Sequence, residues 1–156
     1  MRIIKQKEIA KNLHRNEKNV LLPPIINNAT MAERKKFILE YTLNVSPEFL
    51  YSYISSATGL STWFADDVNI DGDMFTFIWE GSEEKAKLVS KRTNKFVKFH
   101  WIDKPDNEFF SFEIDQDELT GDVALIITDF EYEDEIKGTT MIYDVSVDKL
   151  RGTVGG

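Results

Sequence analysis

Hydrophobic and polar residues alternate along most of the chain, and the first alternating segment begins at Phe37. Phe37, Leu39 and Tyr41 fall on one side of this segment, with Ile38 and Glu40 on the other. Such alternation is typical of a half-buried β-strand, because successive side chains point to opposite faces. It recurs in five later segments, at residues 75–79, 85–88, 97–101, 110–114 and 123–127. This pattern predicts a first strand followed by an antiparallel meander of five or six strands.

Two short helices are predicted between the first strand and the meander. Ser46 and Pro47 favour a helix start, since a serine oxygen accepts a backbone N–H bond and proline suits the first helical turn. Residues 49–54 then have apolar side chains at helical spacing. A second short helix is expected from Gly59 to Phe64, again with its apolar residues on one side.

Turn residues between the strands allow the strand register to be predicted. Hairpins are expected at residues 81–82, 93–94, 103–107 and 117–120. The apolar faces then meet as Phe77 with Ala86, Leu88 with Phe99, Phe99 with Phe112, and Phe112 with Leu125. On the opposite face, Lys98 is placed across from Glu113, as suits a solvated surface. One face of the sheet is therefore predicted to be continuously apolar.

The last segment, Glu133 to Val154, changes to a spacing near 3.6 residues, which predicts a helix of about five turns. Its apolar stripe comprises Ile136, Thr140, Tyr143, Val147, Leu150 and Val154, widened by Met141 and Val145. Acidic residues at its start and basic residues at its end suit the helix dipole. The expected fold is α+β: a curved antiparallel sheet wrapped around a long C-terminal helix, with two short helices after the first strand.

Charge divides the chain into two parts. Residues 1–30 carry six basic and two acidic residues and a Pro23-Pro24 pair. They are interpreted as a basic, flexible N-terminal extension, or as a segment that precedes an alternative translation start at Met31. Residues 31–156 hold 13 basic and 25 acidic residues, a net charge of −12, and are predicted to form one domain. Because an acidic surface repels phosphate backbones, nucleic acid is not expected as a partner.

Four short motifs lie on the predicted elements: Val45-Ser46-Pro47, the Trp-Phe-containing run from Leu60 to Asp66, Phe75 to Gly81, and Val97 to Trp101. Together with the order of the elements, which is the helix-grip arrangement, they resemble the START-like superfamily. The most similar branch is the one related to the C-terminal domain of the Hsp90 ATPase activator. The resemblance covers roughly residues 33–155. It implies a cavity between the sheet and the C-terminal helix, which the superfamily uses for lipids, polyketides, hormones or other apolar molecules.

A binding site in such a cavity would be lined by aromatic side chains. Ordinary core packing explains any single one of them, whereas a curved sheet and a helix that do not close tightly would leave room for a guest. The predicted ligand-binding residues are Tyr41, Trp63, Phe64, Phe77, Trp79, Phe99, Trp101, Phe110, Phe112, Leu125, Tyr143 and Val147. The expected guest is a small apolar or amphipathic, lipid-like molecule, held also by hydroxyl and indole N–H groups.

The motif at residues 67–73 reproduces the opening of an EF-hand calcium loop, D-x-N-x-D-G-D. The twelfth position of such a loop needs a glutamate, and this chain has Ile78 there. We therefore expect an acidic β-turn in which Gly72 has a positive φ, and no metal site.

Catalytic groups are sparse. His100 is predicted to have Ser111 as its cross-strand neighbour, but no oxyanion motif accompanies this pair. Carboxylates such as Glu113 and Glu131 are interpreted as solvated charge in an acidic chain. Among inward positions, Glu84 is the main ionisable group by register.

Three functions remain open from the sequence. The leading one is a START-like binding module; the alternatives are a co-chaperone-like protein-interaction domain and a cyclase- or hydrolase-type enzyme, with an enzyme less favoured. No cofactor is predicted. No apolar run approaches the roughly 20 residues that span a bilayer, and the absence of cysteine favours the cytoplasm.

Overall fold

The computed structural model describes residues 33–155. Its elements are β1 (Arg34–Leu43), α1 (Pro47–Ser55), α2 (Ala57–Trp63), β2 (Asp67–Asp71), β3 (Met74–Trp79), β4 (Ser82–Arg92), β5 (Phe96–Trp101), β6 (Phe110–Gln116), β7 (Val123–Tyr132), a 3-10 turn (Glu133–Glu135) and α3 (Ile136–Val154). The extension predicted at residues 1–30 lies outside this range. No helix within residues 33–155 is long and apolar enough to cross a membrane.

The seven strands form one antiparallel sheet in the order β1-β7-β6-β5-β4-β3-β2. Strands β2 to β7 are a six-strand meander, and the first strand pairs with the last. Helix α3 packs on β1 and β7, and α1 packs on β5 and β6. The predicted α+β helix-grip fold is therefore confirmed.

Helix α1 begins after the predicted cap Ser46, whereas α2 is capped by Ser56 and begins at Ala57, two residues before its predicted start at Gly59. The side chain of Ser46 accepts a hydrogen bond from the backbone N–H of Phe49 at 3.2 Å, and Ser56 does the same for Gly59 at 2.9 Å. Ser56 ends α1 and begins α2, so the helices turn sharply between them. A Cβ on Gly59 would overlap the carbonyl of Ser52, which explains why this close approach needs glycine.

The predicted register is correct for Leu88 with Phe99 and is two residues out for the other three pairs. The structure pairs Phe75 with Ala86, Phe99 with Phe110, and Phe112 with Ile127, and it sets Lys98 across from Ser111 instead of Glu113. A shift of two residues leaves every side chain on its predicted face. The faces were therefore predictable although the partners were not.

The hairpin between β3 and β4 shows the cause of one shift. Glu80 and Gly81 both have positive φ, 49° and 83°, which is the backbone of a two-residue type I′ turn. The turn lies one residue earlier than the predicted turn at residues 81–82. Each shift of a turn by one residue moves the pairing of the two strands by two residues.

The acidic segment 67–71 forms strand β2, which was not among the predicted strands. Val68 is buried and pairs with Phe77, and this apolar contact outweighs the turn preference of the aspartates. The turn itself is confined to residues 72–73, where Gly72 has the predicted positive φ of 62°.

Helix α3 buries a narrower stripe than predicted. Tyr143, Val147 and Leu150 are buried as expected, but Met141 and Val145 are 60% and 61% exposed. Each of these two lies two residues from a buried position, about 200° around the helix, and so faces solvent.

Candidate functional site

The inner face of the sheet and α2 together carry one connected cluster of aromatic rings. Its members are Trp63, Phe64, Phe75, Phe77, Trp79, Phe99, Trp101, Phe110 and Phe112. Alternation places the strand residues on one face, and the end of α2 delivers the Trp-Phe pair onto them. Eight of the twelve predicted ligand-binding residues are thus brought together.

Phe64 is the centre of this aromatic cluster. Its ring lies edge-on to the rings of Phe77, Phe112 and Trp79, at centroid distances of 5.1, 5.2 and 5.5 Å. Phe110 stacks on Trp101 at 4.6 Å. Rings at these distances are in van der Waals contact, so no guest fits between them. A bound molecule would have to lie on the surface of the cluster.

The other four predicted residues lie towards α3. Leu125 and Val147 are fully buried, and Tyr143 is 2% exposed. Tyr41 is half-buried at the sheet edge, where its hydroxyl donates to Oδ1 of Asp144 at 2.7 Å. It lies outside the aromatic cluster.

Two indole N–H groups of the cluster have acceptors within the protein. The indole N–H of Trp63 donates to the carbonyl of Tyr53, and that of Trp79 donates to the carbonyl of Phe64, both at 2.8 Å. Buried indoles without such acceptors would be costly. The Trp63 N–H therefore joins α2 to α1, and the Trp79 N–H joins the end of α2 to the sheet.

Part of the inner face remains open to solvent. Glu84 and Leu88 on β4 and Trp101 on β5 point inward but are only partly buried. Partial exposure is ordinary on an edge strand such as β1, but β4 and β5 lie inside the sheet. Helix α3 contacts the sheet at β1 and β7, α1 contacts it at β5 and β6, and α2 contacts it at β2, whereas no helix of the described residues has a comparable contact with β4. The inner surface around Trp101 is thus an opening beside the aromatic cluster.

Two buried carboxylates lie under the first turns of α3. Asp129 and Glu131 on β7 are 6% and 1% exposed. The hydroxyl of Tyr143 donates to Oδ2 of Asp129 at 2.8 Å, and that of Thr139 donates to Oε2 of Glu131 at 3.3 Å. Burial, reinforced by the charge of Asp129, raises the pKa of Tyr143 well above its usual value.

Arg34 pairs with one of these two buried carboxylates, Glu131, and with Glu108. Its Nε lies 2.9 Å from both carboxylate oxygens of Glu108, and its Nη1 lies 3.2 Å from Oε1 of Glu131. The guanidinium is a planar fork, which lets it bind two carboxylates at once. Arg34 thereby joins the start of β1 to the end of β7 and to the segment before β6.

The interpretation of Glu131 as solvated charge was wrong. Position parity already puts residues 129 and 131 on the inner face with Leu125 and Ile127, and that signal could have identified both acids. What the sequence lacks is the partner, since Arg34 lies 97 positions from Glu131. By contrast, Glu113 is exposed as predicted.

The predicted neighbourhood of His100 also needs correction. Ser111 pairs with Lys98, so the cross-strand neighbour of His100 is not Ser111. The hydroxyl-imidazole pair that a serine hydrolase would need is therefore not formed by this register. Within residues 33–155 no group of three or more His, Asp or Glu side chains is arranged to hold a metal ion.

Comparison with known proteins identifies the family. The sequence model of the START-like superfamily domain matches residues 31–156. This chain belongs to the START-like superfamily. No curated protein matches the sequence. Membership in this superfamily supports a role as a ligand-binding or co-chaperone-like module.

Solved structures share the START-like fold. A Bacteroides fragilis protein solved by NMR in solution is 40% identical, with a TM-score of 0.57, over 78% of this chain and 91% of that one. The Aha1 dimer from Colwellia psychrerythraea is 18% identical, with a TM-score of 0.65, over 77% and 96%. CalU16 from Micromonospora echinospora is 13% identical, with a TM-score of 0.60, over 76% and 74%. At the two lower identities the likeness is one of fold.

Proposed function

We propose that this START-like domain binds a small apolar or amphipathic molecule on its inner sheet face, at the opening beside Trp101. The observation that carries the proposal is the partial exposure of Leu88 and Trp101 on two strands that lie inside the sheet. An apolar surface left open there gains free energy when a guest covers it, at about 25 cal/mol per Å² before the costs of association.

The proposed site has an apolar side and a polar rim. The stacked pair of Phe110 and Trp101 supplies a flat aromatic wall. Glu84 lies on the same face, because it is two residues before Ala86 in β4 and therefore also points inward. This combination suits an amphipathic molecule that has an apolar body and one polar end. The twelve predicted residues then divide into those that shape the wall and those, towards α3, that support it.

Mass spectrometry under native conditions tests for a molecule retained from expression. A second test uses 1-aminoanthracene, an uncharged fluorescent probe of apolar sites. We expect saturable binding with a blue-shifted emission, weakened by Leu88→Gln and by Trp101→Ala. Ile38→Gln is the matched control, because Ile38 is an exposed apolar residue on the outer face. Circular dichroism confirms that each variant is folded.

Absence of any retained molecule together with absence of saturable probe binding would overturn the proposal. The co-chaperone-like alternative would then be preferred. Its own support is the exposure of Met141 and Val145, which are one turn apart on the solvent face of α3. A cytoplasmic location is part of the proposal and is supported by a sequence without cysteine.

A further inference from the structure

A groove of about 430 Å³ lies on the outer face of the sheet, on the side opposite the aromatic cluster. Lys87 on β4 and His100 on β5 are direct cross-strand partners at its floor, with Lys98 one outward position along. Residues 106–109, which lead into β6, form its wall. The groove is therefore separate from the proposed inner site.

Two lysine side chains lie together on the floor of this groove, although the domain around it is acidic. Residues 31–156 carry a net charge of −12, yet two ammonium groups and an imidazole line the groove. The carboxylate of Glu108, at the wall, pairs at 2.9 Å with Arg34, a guanidinium that it shares with Glu131. Asp106 is fully exposed at the rim. Nζ of Lys87 lies 3.8 Å from Oδ2 of Asp73, but both side chains are more than half exposed, so this surface ion pair is weak. The floor thus offers the ammonium groups of Lys87 and Lys98 to an anion.

The imidazole of His100 has a fixed orientation. Its Nδ1 lies 2.8 Å from the backbone carbonyl of Glu108. A carbonyl oxygen only accepts hydrogen bonds, so Nδ1 carries a proton and donates it. Nε2 is left on the side of Asp106, whose Oδ1 is 4.0 Å away. The Nε2 atom is therefore positioned to contact a polar group at the rim of the groove.

An apolar surface lies beside these cations. Val89, at the β-bulge of β4, is 54% exposed. The ring of Phe109 is fixed edge-on against Phe130 at 5.4 Å, and Nζ of Lys98 lies 4.1 Å from its centroid. A cation held over an aromatic face is partly ordered before any ligand arrives. One ligand can thus meet a positive charge and an apolar wall together.

We propose that this groove binds a small organic anion, a carboxylate or a phosphate carried on an apolar or aromatic body. Lys87 and Lys98 would neutralise the anionic group, and Val89 and Phe109 would cover the apolar body. The volume is in the range that accommodates small molecules. The proposal does not depend on the inner site, because the two sites lie on opposite faces of the sheet.

The test titrates the 15N-labelled full chain with phenyl phosphate and with benzoate, following amide shifts by NMR. We expect saturable shifts centred on residues 87–89, 98–100 and 106–109. Binding of either anion supports the proposal, and the ratio of their affinities identifies the preferred group. Benzyl alcohol, which lacks the charge, and inorganic phosphate, which lacks the ring, should each bind at least about threefold more weakly.

Two double variants distinguish binding in the groove from non-specific attraction to positive charge. Lys87→Gln with Lys98→Gln should weaken phenyl phosphate binding at least about threefold. Lys91→Gln with Lys95→Gln removes the same charge from exposed positions outside the groove and should leave the affinity unchanged. Equal losses in both pairs, shifts elsewhere on the chain, or no saturable shift would each overturn the inference. None of these results bears on 1-aminoanthracene binding at the inner face.

Discussion

The hydroxyl of Tyr143 on α3 donates a hydrogen bond to Oδ2 of Asp129 on β7 at 2.8 Å, and both side chains are buried. The other carboxylate oxygen of Asp129 accepts the backbone N–H of Phe130 at 2.7 Å. Apolar contacts between a helix and a sheet permit sliding, whereas a directional bond between fixed atoms does not. This pair therefore sets the position of α3 over the sheet.

Tyr143→Phe is expected to lower the free energy of unfolding by about 1–3 kcal/mol, because it removes a donor from a buried carboxylate and keeps the ring. Urea unfolding followed by circular dichroism measures this difference. Tyr41→Phe is the matched control, since its hydroxyl bonds to Asp144 at the surface. A loss in Tyr143→Phe no larger than in the control would show that the buried bond does not stabilise the fold.

Alkaline conditions should destabilise the protein through Tyr143. Burial and the charge of Asp129 raise the pKa of Tyr143 in the folded state, whereas an unfolded tyrosine ionises near pH 10. The contribution of this tyrosine is complete below about pH 10. Above it the unfolded chain releases the proton first, and stability falls by up to about 1.4 kcal/mol per pH unit.

Urea unfolding at several alkaline pH values measures that slope. Tyr143→Phe should have a shallower slope than the unmodified chain, because the variant lacks the group that titrates. Identical slopes in the two proteins would contradict the assignment. Tyr41 contributes in the same direction in both, since burial and Asp144 raise its pKa as well.

Arg34→Gln should destabilise the fold by about 3 kcal/mol, because it leaves Glu131 as a buried charge without its guanidinium. Lys35→Gln provides the control, as Lys35 pairs with Glu133 at the surface with both side chains at least half exposed. That change should cost less than about 1 kcal/mol. Thermal and urea unfolding measure both, and comparable losses would rule out a special role for Arg34.

Glycines at two helical positions should respond in opposite directions to alanine. A Cβ at Gly59 would lie 2.5 Å from the Cα of Tyr53, so Gly59→Ala must move α2 away from α1 and should cost about 3 kcal/mol or more. Gly138 in α3 has open space around it, and Gly138→Ala should stabilise the helix by about 0.5–1 kcal/mol. Urea unfolding compares the two, and a stable Gly59→Ala protein would refute the close approach.

Local pattern was sufficient for the faces of the strands and for the type of most elements, although not for β2. The period-two positions of Phe77, Phe99 and Phe112 all lie on the inner face, because a strand alternates its side chains whatever it pairs with. Ser46 begins α1 because a helix cap is a contact between near neighbours. These features depend on a few consecutive residues.

The residues that pair across neighbouring strands were harder to predict from the sequence. Moving a turn by one residue shifts the pairing of its two strands by two residues. The turn between β3 and β4 is at Glu80-Gly81, whereas the sequence pattern favoured Gly81-Ser82. The predicted aromatic wall survived this error because a two-residue shift keeps each ring on its face. Its role in binding a ligand stays a prediction.

The sequence by itself determined that this chain forms an antiparallel sheet with a closing helix. The period of two residues in the strands and of about 3.6 residues in the helix can both be read from the order of apolar and polar side chains. Only the tertiary structure decided that Glu131 is buried against Arg34 and that Met141 faces solvent. Burial of a charge depends on a partner that is distant in the chain. Exposure of an apolar residue depends on which face of the helix the sheet covers, and spacing alone does not fix that face.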